Sequence, residues 1–288
     1  MINKKYKDRL FCLLFGNEEY KDNILSLYNA LCNTSYTNTD DIQIYTIEDV
    51  IYIKMKNDVS ILLDSFLYLW EQQSTFNPNM PIRGLLYFGK MYDKYITENH
   101  LNIYGKMLIK LPTPKYTVLY NGMDEQPAFM QLRLSNSFIN PDTSGDFEWT
   151  ANMINLNDGK NDDLLDKCQP LKEYMILINE IRKNSVSMGF EDAVDTAVTY
   201  CIEHNVLKRF LLKHRAEVLD MCITEYNEKS FVDGIREEGR KEGRTEGRKE
   251  GQNLLATVVL RLRNGETPEQ ILASGVDAKT IELAETIK

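Results

Sequence analysis

Hydrophobic and polar positions along the chain change period several times. Over residues 5–33, Leu10, Leu13, Leu14, Ile24, Leu25, Leu27, Tyr28 and Leu31 recur at helical spacing, which predicts one or two helices. A polar run from Asn33 through Thr39 reads as a loop, and the β-branched stretch 42–47 as a strand. Two apolar segments rich in β-formers then flank Asp64-Ser65, a strand–turn–strand signal. With that pair as the turn, facing residues have numbers summing to 129, so Leu63 faces Phe66 and Asp58 faces Glu71. Asp-Ser is not the favoured Asn-Gly or Asp-Gly turn. Val59, Ile61, Leu63, Phe66, Tyr68 and Trp70 share one face of this hairpin, and Leu62, Leu67 and Leu69 the other. Apolar residues on both faces imply a strand pair covered on both sides, hence an α+β (α/β-like) fold with helices packed on a sheet.

Asn77-Pro78-Asn79-Met80-Pro81 closes the hairpin region and starts a helix of about 15 residues, with proline in its first turn. Residues 116–120 predict a further strand, closed by Asn121-Gly122. The polar stretch 140–163 reads as a long irregular connection, and 164–230 as continuously helical. Beyond it Gly239, Gly243, Gly247 and Gly251 stand four apart, as do Glu238, Glu242, Glu246 and Glu250, and Arg240, Arg244 and Arg248. Wound as a helix, these rows make a glycine groove flanked by opposite charges, suited to a homo-oligomer. Four glycines cost such a helix about 4 kcal/mol relative to alanine, and a weakly helical, charge-balanced spacer reads equally well. Residues 254–262 predict a helix stopped by Asn264-Gly265, Thr267-Pro268-Glu269-Gln270 starts another, and Asp277 begins a last one. This ending reads as a docking hairpin rather than a helix-turn-helix, since it lacks a basic recognition face.

The hairpin carries the candidate chemistry. Directly opposed residues point to the same face with Cβ atoms roughly 4.5–5.5 Å apart, so Asp58 and Glu71 converge at its open end. Gln73 and its partner Lys56 share that face. Opposed like charges destabilise a sheet, and a divalent cation offsets the repulsion. Mg²⁺ is commonly held by one or two carboxylates plus water and phosphate oxygens. The plain alternative is a pair of strand-end acids facing water.

An Asp on one strand and Glu-x-Gln on the next resembles the PD-(D/E)XK nuclease superfamily. More closely, the chain resembles its Rpn branch of recombination-promoting, transposase-related nucleases, in which Gln often stands for the motif's Lys. The resemblance is carried by Lys7-Asp8-Arg9-Leu10-Phe11 with Leu14-Phe15-Gly16, by the hairpin from Lys56 to Thr75, by 77–87, and by Val118-Leu119-Tyr120-Asn121-Gly122. It implies a restriction-endonuclease-like mixed sheet flanked by helices and a DNA endonuclease using Mg²⁺ or Mn²⁺. Asp58 and Glu71 would then be the metal ligands, with Gln73 orienting water or phosphate. Gln73 cannot supply the positive charge of the motif's Lys, and Lys56, facing it in the ladder, is the expected substitute.

Charge qualifies this expectation. The 288 residues carry a net charge of −9, and residues 1–165 hold 15 Lys/Arg against 21 Asp/Glu. A tight, non-specific DNA binder is usually basic over its domain. Arg83, Lys90 and Lys94, on the helix after the hairpin, are the candidate basic lip for DNA, or ordinary solvated helix charges. A non-catalytic interaction protein that keeps the fold is therefore the second reading. Five cysteines without a CxxC pair argue against a disulfide framework or zinc ribbon, and His100, His204 and His214 receive no metal role. No apolar run of 18 residues occurs, and no hydrophobic leader follows Met1, so the expectation is a cytoplasmic protein with no membrane partner. Four segments follow: a nuclease-like core over 1–165, a helical region over 166–232 packed on or beside it, the glycine repeat over 233–252, and a helical hairpin over 253–288.

Overall fold

The computed structural model describes residues 5–46, 58–142, 144–220, 222 and 254–287. Lys56 and the glycine repeat at 233–252 lie outside those residues. The chain divides into two compact units, Met1–Tyr226 and Asn227–Lys288.

In the first unit, helices α1 (Lys5–Phe15) and α2 (Lys21–Cys32) precede a short edge strand, β1 (Gln43–Ile44). The hairpin follows as β2 (Val59–Leu63) and β3 (Phe66–Gln73), then α3 (Met80–Glu98) and β4 (Thr113–Tyr120). β5 (Phe129–Arg133) and β6 (Thr150–Asn155) complete a six-stranded sheet of order β1-β2-β3-β4-β6-β5. Helices α4 (Asp162–Lys167), α5 (Gln169–Asn184) and α6 (Phe190–Glu203) follow, and residues 208–220 are helical. β1, β2 and β3 run antiparallel, β3–β4 and β4–β6 are parallel, and β5 returns antiparallel to β6. The α+β class and the mixed sheet flanked by helices are thus those the sequence predicts.

Hairpin register follows the turn. Val59 pairs with Trp70, Ile61 with Tyr68 and Leu63 with Phe66, the sum-129 ladder. Asp64 and Ser65 both take positive φ, 49° and 63°. Two left-handed central residues are what a two-residue hairpin with matched twist requires. Asp tolerates that region through its short polar side chain; Ser does so less well.

Alternation then sorts the side chains into two layers. Val59, Ile61, Leu63, Tyr68 and Trp70 enter a core shared with Leu10, Phe11 and Leu14 of α1, Leu27 of α2, Tyr174 and Ile178 of α5 and Val194 of α6. Leu67 and Leu69 enter the opposite core with Tyr116 and Val118 of β4 and Met153 of β6. α3 covers that second face because Met80, Gly84, Tyr87, Phe88 and Met91 recur at helical spacing. Each fully buried large side chain contributes about 1.5–3 kcal/mol.

Several elements differ from the sequence pattern. α3 runs 19 residues rather than about 15. Among the described residues of the expected strand 42–47, Gln43–Ile44 form the strand. Helical residues after 164 break at Cys168, at Ser185–Gly189 and at 204–207. The connection expected to be irregular contains β6, and β5 was not expected at all. Thr150-Ala151-Asn152-Met153-Ile154-Asn155 buries only its alternate positions Ala151, Met153 and Asn155 fully, and its polar residues Thr150, Asn152 and Asn155 fall on both faces and hide the strand signal.

The second unit has its own small core of Val258, Leu262, Ile271, Ile281 and Ala284. Residues 254–263 form a helix, followed by Pro268–Ala273 and Ala278–Ile287. Thr267 and Gln270 make a reciprocal capping box, with Thr267 N–H donating to Gln270 Oε1 at 2.9 Å. No helix among the described residues is long and apolar enough to cross a membrane.

The left-handed Ser65 yields a stability prediction. Ser65→Gly should raise the unfolding free energy by about 1 kcal/mol, read as a higher urea midpoint at unchanged m-value. An unchanged midpoint would contradict a strained Ser65.

Candidate active site

Asp58 stands one residue before β2, where the ladder ends. Its Oδ2 accepts the Gln72 N–H at 2.6 Å, so the carboxylate continues the ladder in place of a backbone carbonyl. The Cys12 thiol donates to the Asp58 carbonyl oxygen at 3.3 Å, which brings α1 against the same point. Burial pushes the Asp58 carboxyl well above the usual carboxylate range. The charges of Asp8 and Glu71 raise it further, and the Gln72 bond and Arg83 offset part of this.

Glu71 lies within the fully buried run of β3 and is 0% exposed. Strand alternation places it on the face covered by α3. Arg83, in the first turns of α3, donates from Nη2 to Glu71 Oε1 at 2.8 Å, and Tyr116 of β4 donates a short hydrogen bond to Oε2. Arg83 Nη2 also donates to the Tyr87 hydroxyl at 3.3 Å. Burial raises the Glu71 pKa, while Arg83 and Tyr116 pull it back. The Tyr116 hydroxyl is pushed well above its ordinary value by burial and by Glu71, so it stays a donor. Burial raises Tyr87 to about 12.

Close approach of α3 makes this clamp possible. A Cβ on Gly84 would stand 2.4 Å from the Tyr116 ring and 2.9 Å from Trp149 Nε1. Without a side chain at 84, α3 settles onto β4 and β6, and Arg83 beside it reaches Glu71.

The remaining expected residues fall differently. Gln73 is half-buried, with its backbone opposite Tyr120, and alternation gives it the same face as Glu71. Gln72 points the other way and is fully buried: Nε2 donates to Asn121 Oδ1 at 2.7 Å, Asn121 to the Tyr174 hydroxyl at 3.2 Å, and Tyr174 to the Lys7 carbonyl at 3.2 Å. That chain ties β3 to β4, α5 and α1. Lys90 is exposed on α3. Lys94 lies 4.4 Å from the Tyr45 ring centroid and 4.0 Å from Glu98, a packing role of its own. The structure therefore groups Asp58, Glu71 and Arg83, with Lys94 engaged elsewhere.

Asp8, Tyr87 and Tyr116 are the members that spacing did not reveal. Glu71 between Trp70 and Gln72, in a strand apolar on both faces, signals that a buried carboxylate needs donors. It does not say which later strand supplies them. All site donors are oxygens, which suits a hard divalent cation. Among the described residues no group of three or more His, Cys, Asp or Glu is arranged to hold a metal ion. A two-carboxylate site completed by water and phosphate does not require one.

Two predictions follow from this geometry. Gly84→Ala should cost about 1–3 kcal/mol through overpacking against Tyr116, measurable by denaturant titration; a neutral result would mean that Tyr116 moves freely. The second concerns pH. Between the ordinary Asp pKa and its raised folded value, the folded chain holds a proton that the unfolded chain has lost, so stability falls as pH rises through that window. Asp58→Asn keeps an acceptor for Gln72 N–H and removes the loss. In metal-free buffer at pH 8 it should be more stable than the parent, and the gap should close toward pH 3. A variant no more stable at pH 8 would mean that Asp58 ionises without penalty.

No protein-family model, curated protein or solved structure matches this chain, so its own residues carry the reading of the site.

Proposed function

We propose that this chain is a metal-dependent phosphodiesterase acting on DNA, of the kind implied by its resemblance to the Rpn branch of PD-(D/E)XK nucleases. One observation carries the reading: the half-buried Asp58 carboxyl lies in the field of Asp8 and Glu71, and the fully buried Glu71 carboxyl has Arg83 as its paired cation, so three acids converge on one cation. Buried acids without matching cations are costly, and such arrangements cluster at functional sites.

Asp58 and Glu71 would hold Mg²⁺ or Mn²⁺, which supplies Lewis-acid stabilisation of a phosphoryl oxygen and lowers the pKa of a bound water. Asp58 is fixed by the Gln72 N–H, and Glu71 by Tyr116, so both carboxylates are oriented before any ligand arrives. The Gln73 amide orients water or phosphate but brings no charge.

A second reading, a non-catalytic interaction protein assembled through its tail, is favoured by one feature. Both Glu71 oxygens already have donors, and the residue is sealed from solvent.

Plasmid cleavage separates the two. With Mg²⁺ or Mn²⁺ the parent should nick or linearise DNA, and Asp58→Asn and Glu71→Gln should each lower the rate by a hundredfold or more, the scale of a lost electrostatic stabiliser. Folded parent protein that leaves the plasmid intact with either metal supports the interaction reading. Cleavage retained by Asp58→Asn would move the site elsewhere.

A further inference from the structure

Arg83 occupies a position that the phosphodiesterase reading leaves unexplained. It neutralises the very carboxylate that a metal needs. Its side chain is 21% exposed while that of Glu71 is 0% exposed, so Arg83 is the member of the pair that reaches solvent. The pairing is also incomplete. Arg83 Nη2 donates to both Glu71 Oε1 and the Tyr87 hydroxyl, while the buried Nε has no hydrogen-bond partner among the described residues. A guanidinium commonly engages a carboxylate or a phosphate through two parallel donors. Here it engages through one nitrogen and leaves a second buried donor unused.

Glu71 is held independently on its other side. Tyr116 donates to Oε2 from β4, and the closely packed Gly84 region keeps that ring in place. The carboxylate therefore keeps its orientation if Arg83 departs. A departing Arg83 has Tyr87 beneath it, with the guanidinium carbon 5.9 Å from the ring centroid, a surface over which a planar cation can turn.

We propose that Arg83 is an exchangeable counterion: it neutralises Glu71 in the resting protein, yields that carboxylate to an entering divalent cation, and then donates to a phosphate oxygen of the DNA backbone. This inference rests on the phosphodiesterase reading and deepens it by naming the group that meets the substrate. The fork of donors suits phosphate as well as carboxylate, so the same side chain serves both partners in turn. It also places a positive charge within hydrogen-bonding distance of Glu71, where the Gln73 amide offers none. The exchange forms and breaks no covalent bond.

The test uses the full chain with Arg83→Gln and Arg83→Lys, at mildly alkaline pH. Mn²⁺ binding is read by calorimetry and cleavage by single-turnover kinetics. Removing the competing cation should tighten Mn²⁺ binding in Arg83→Gln by roughly tenfold, the worth of one charge-assisted hydrogen bond. The same variant should cleave about a hundredfold more slowly, with part of the rate restored by added guanidinium ion. Arg83→Lys should fall between variant and parent in both measurements, and it carries the test if Arg83→Gln does not fold. Mn²⁺ affinity equal to or weaker than that of the parent in a folded variant overturns the exchange. Cleavage at the parent rate overturns the phosphate contact and leaves the phosphodiesterase reading standing. A parent that binds Mn²⁺ through Asp58 yet cleaves no DNA overturns the phosphodiesterase reading and this inference together.

Discussion

A carboxylate sealed from water inside a central strand constrains everything around it. An isolated ionised group in that position costs several kcal/mol even after relaxation, so the fold must bring donors to Glu71 from elsewhere. It does so twice: Arg83 comes from the helix over the sheet and Tyr116 from the neighbouring parallel strand. The close seat of α3, the absent side chain at Gly84 and the parallel pairing of β3 with β4 all serve that delivery. Hydrophobic packing by Tyr87, Phe88 and Met91 supplies the force that holds the helix down.

The two sheet faces divide the labour. One face buries the larger core, where α1, α2, α5 and α6 lock the hairpin in place. Its polar members, Gln72, Asn121 and Tyr174, form a hydrogen-bonded chain that joins β3 to the helices without placing a charge there. The other face, under α3, holds Glu71. Adjacent residues of one strand thus carry unlike duties: Gln72 is a fastener in the main core, and Glu71 is the charged centre of the other. Asp58 bridges them by bonding the backbone of Gln72 while its carboxyl lies in the field of Asp8 and Glu71.

Local patterns were legible from the sequence and distant ones were not. The β2–β3 register follows from two apolar runs and a two-residue turn, because strand pairing across a short loop admits few solutions. The faces of the hairpin, the proline-started α3 and the Thr267 cap are equally local. The donors to Glu71 were not legible, since Tyr116 looks like one more aromatic in a strand and Arg83 like one more cation on a helix. Arg83 reads in the sequence as a candidate for a DNA-facing lip or as a solvated helix charge; its bond to Glu71 is a contact created only when α3 folds back. β5 and β6 escaped for a different reason: Gln131 and Arg133 in one, and Thr150, Asn152 and Asn155 in the other, interrupt the apolar positions, so neither shows a sustained apolar run.

The spacing of the bonds around Glu71 bears on how the chain reaches this state. Asp58 and Gln72 are 14 residues apart and Glu71 and Arg83 are 12 apart, whereas Tyr116 is 45 residues beyond Glu71. Closing the longer loop costs more chain entropy and, in a parallel pair, must wait for the crossover helix. The hairpin and α3 can associate first, and β4 then docks against a carboxylate that already has one cation. In that order of assembly Arg83 would be an escort, neutralising Glu71 while the strand is half covered and before Tyr116 brings the second donor.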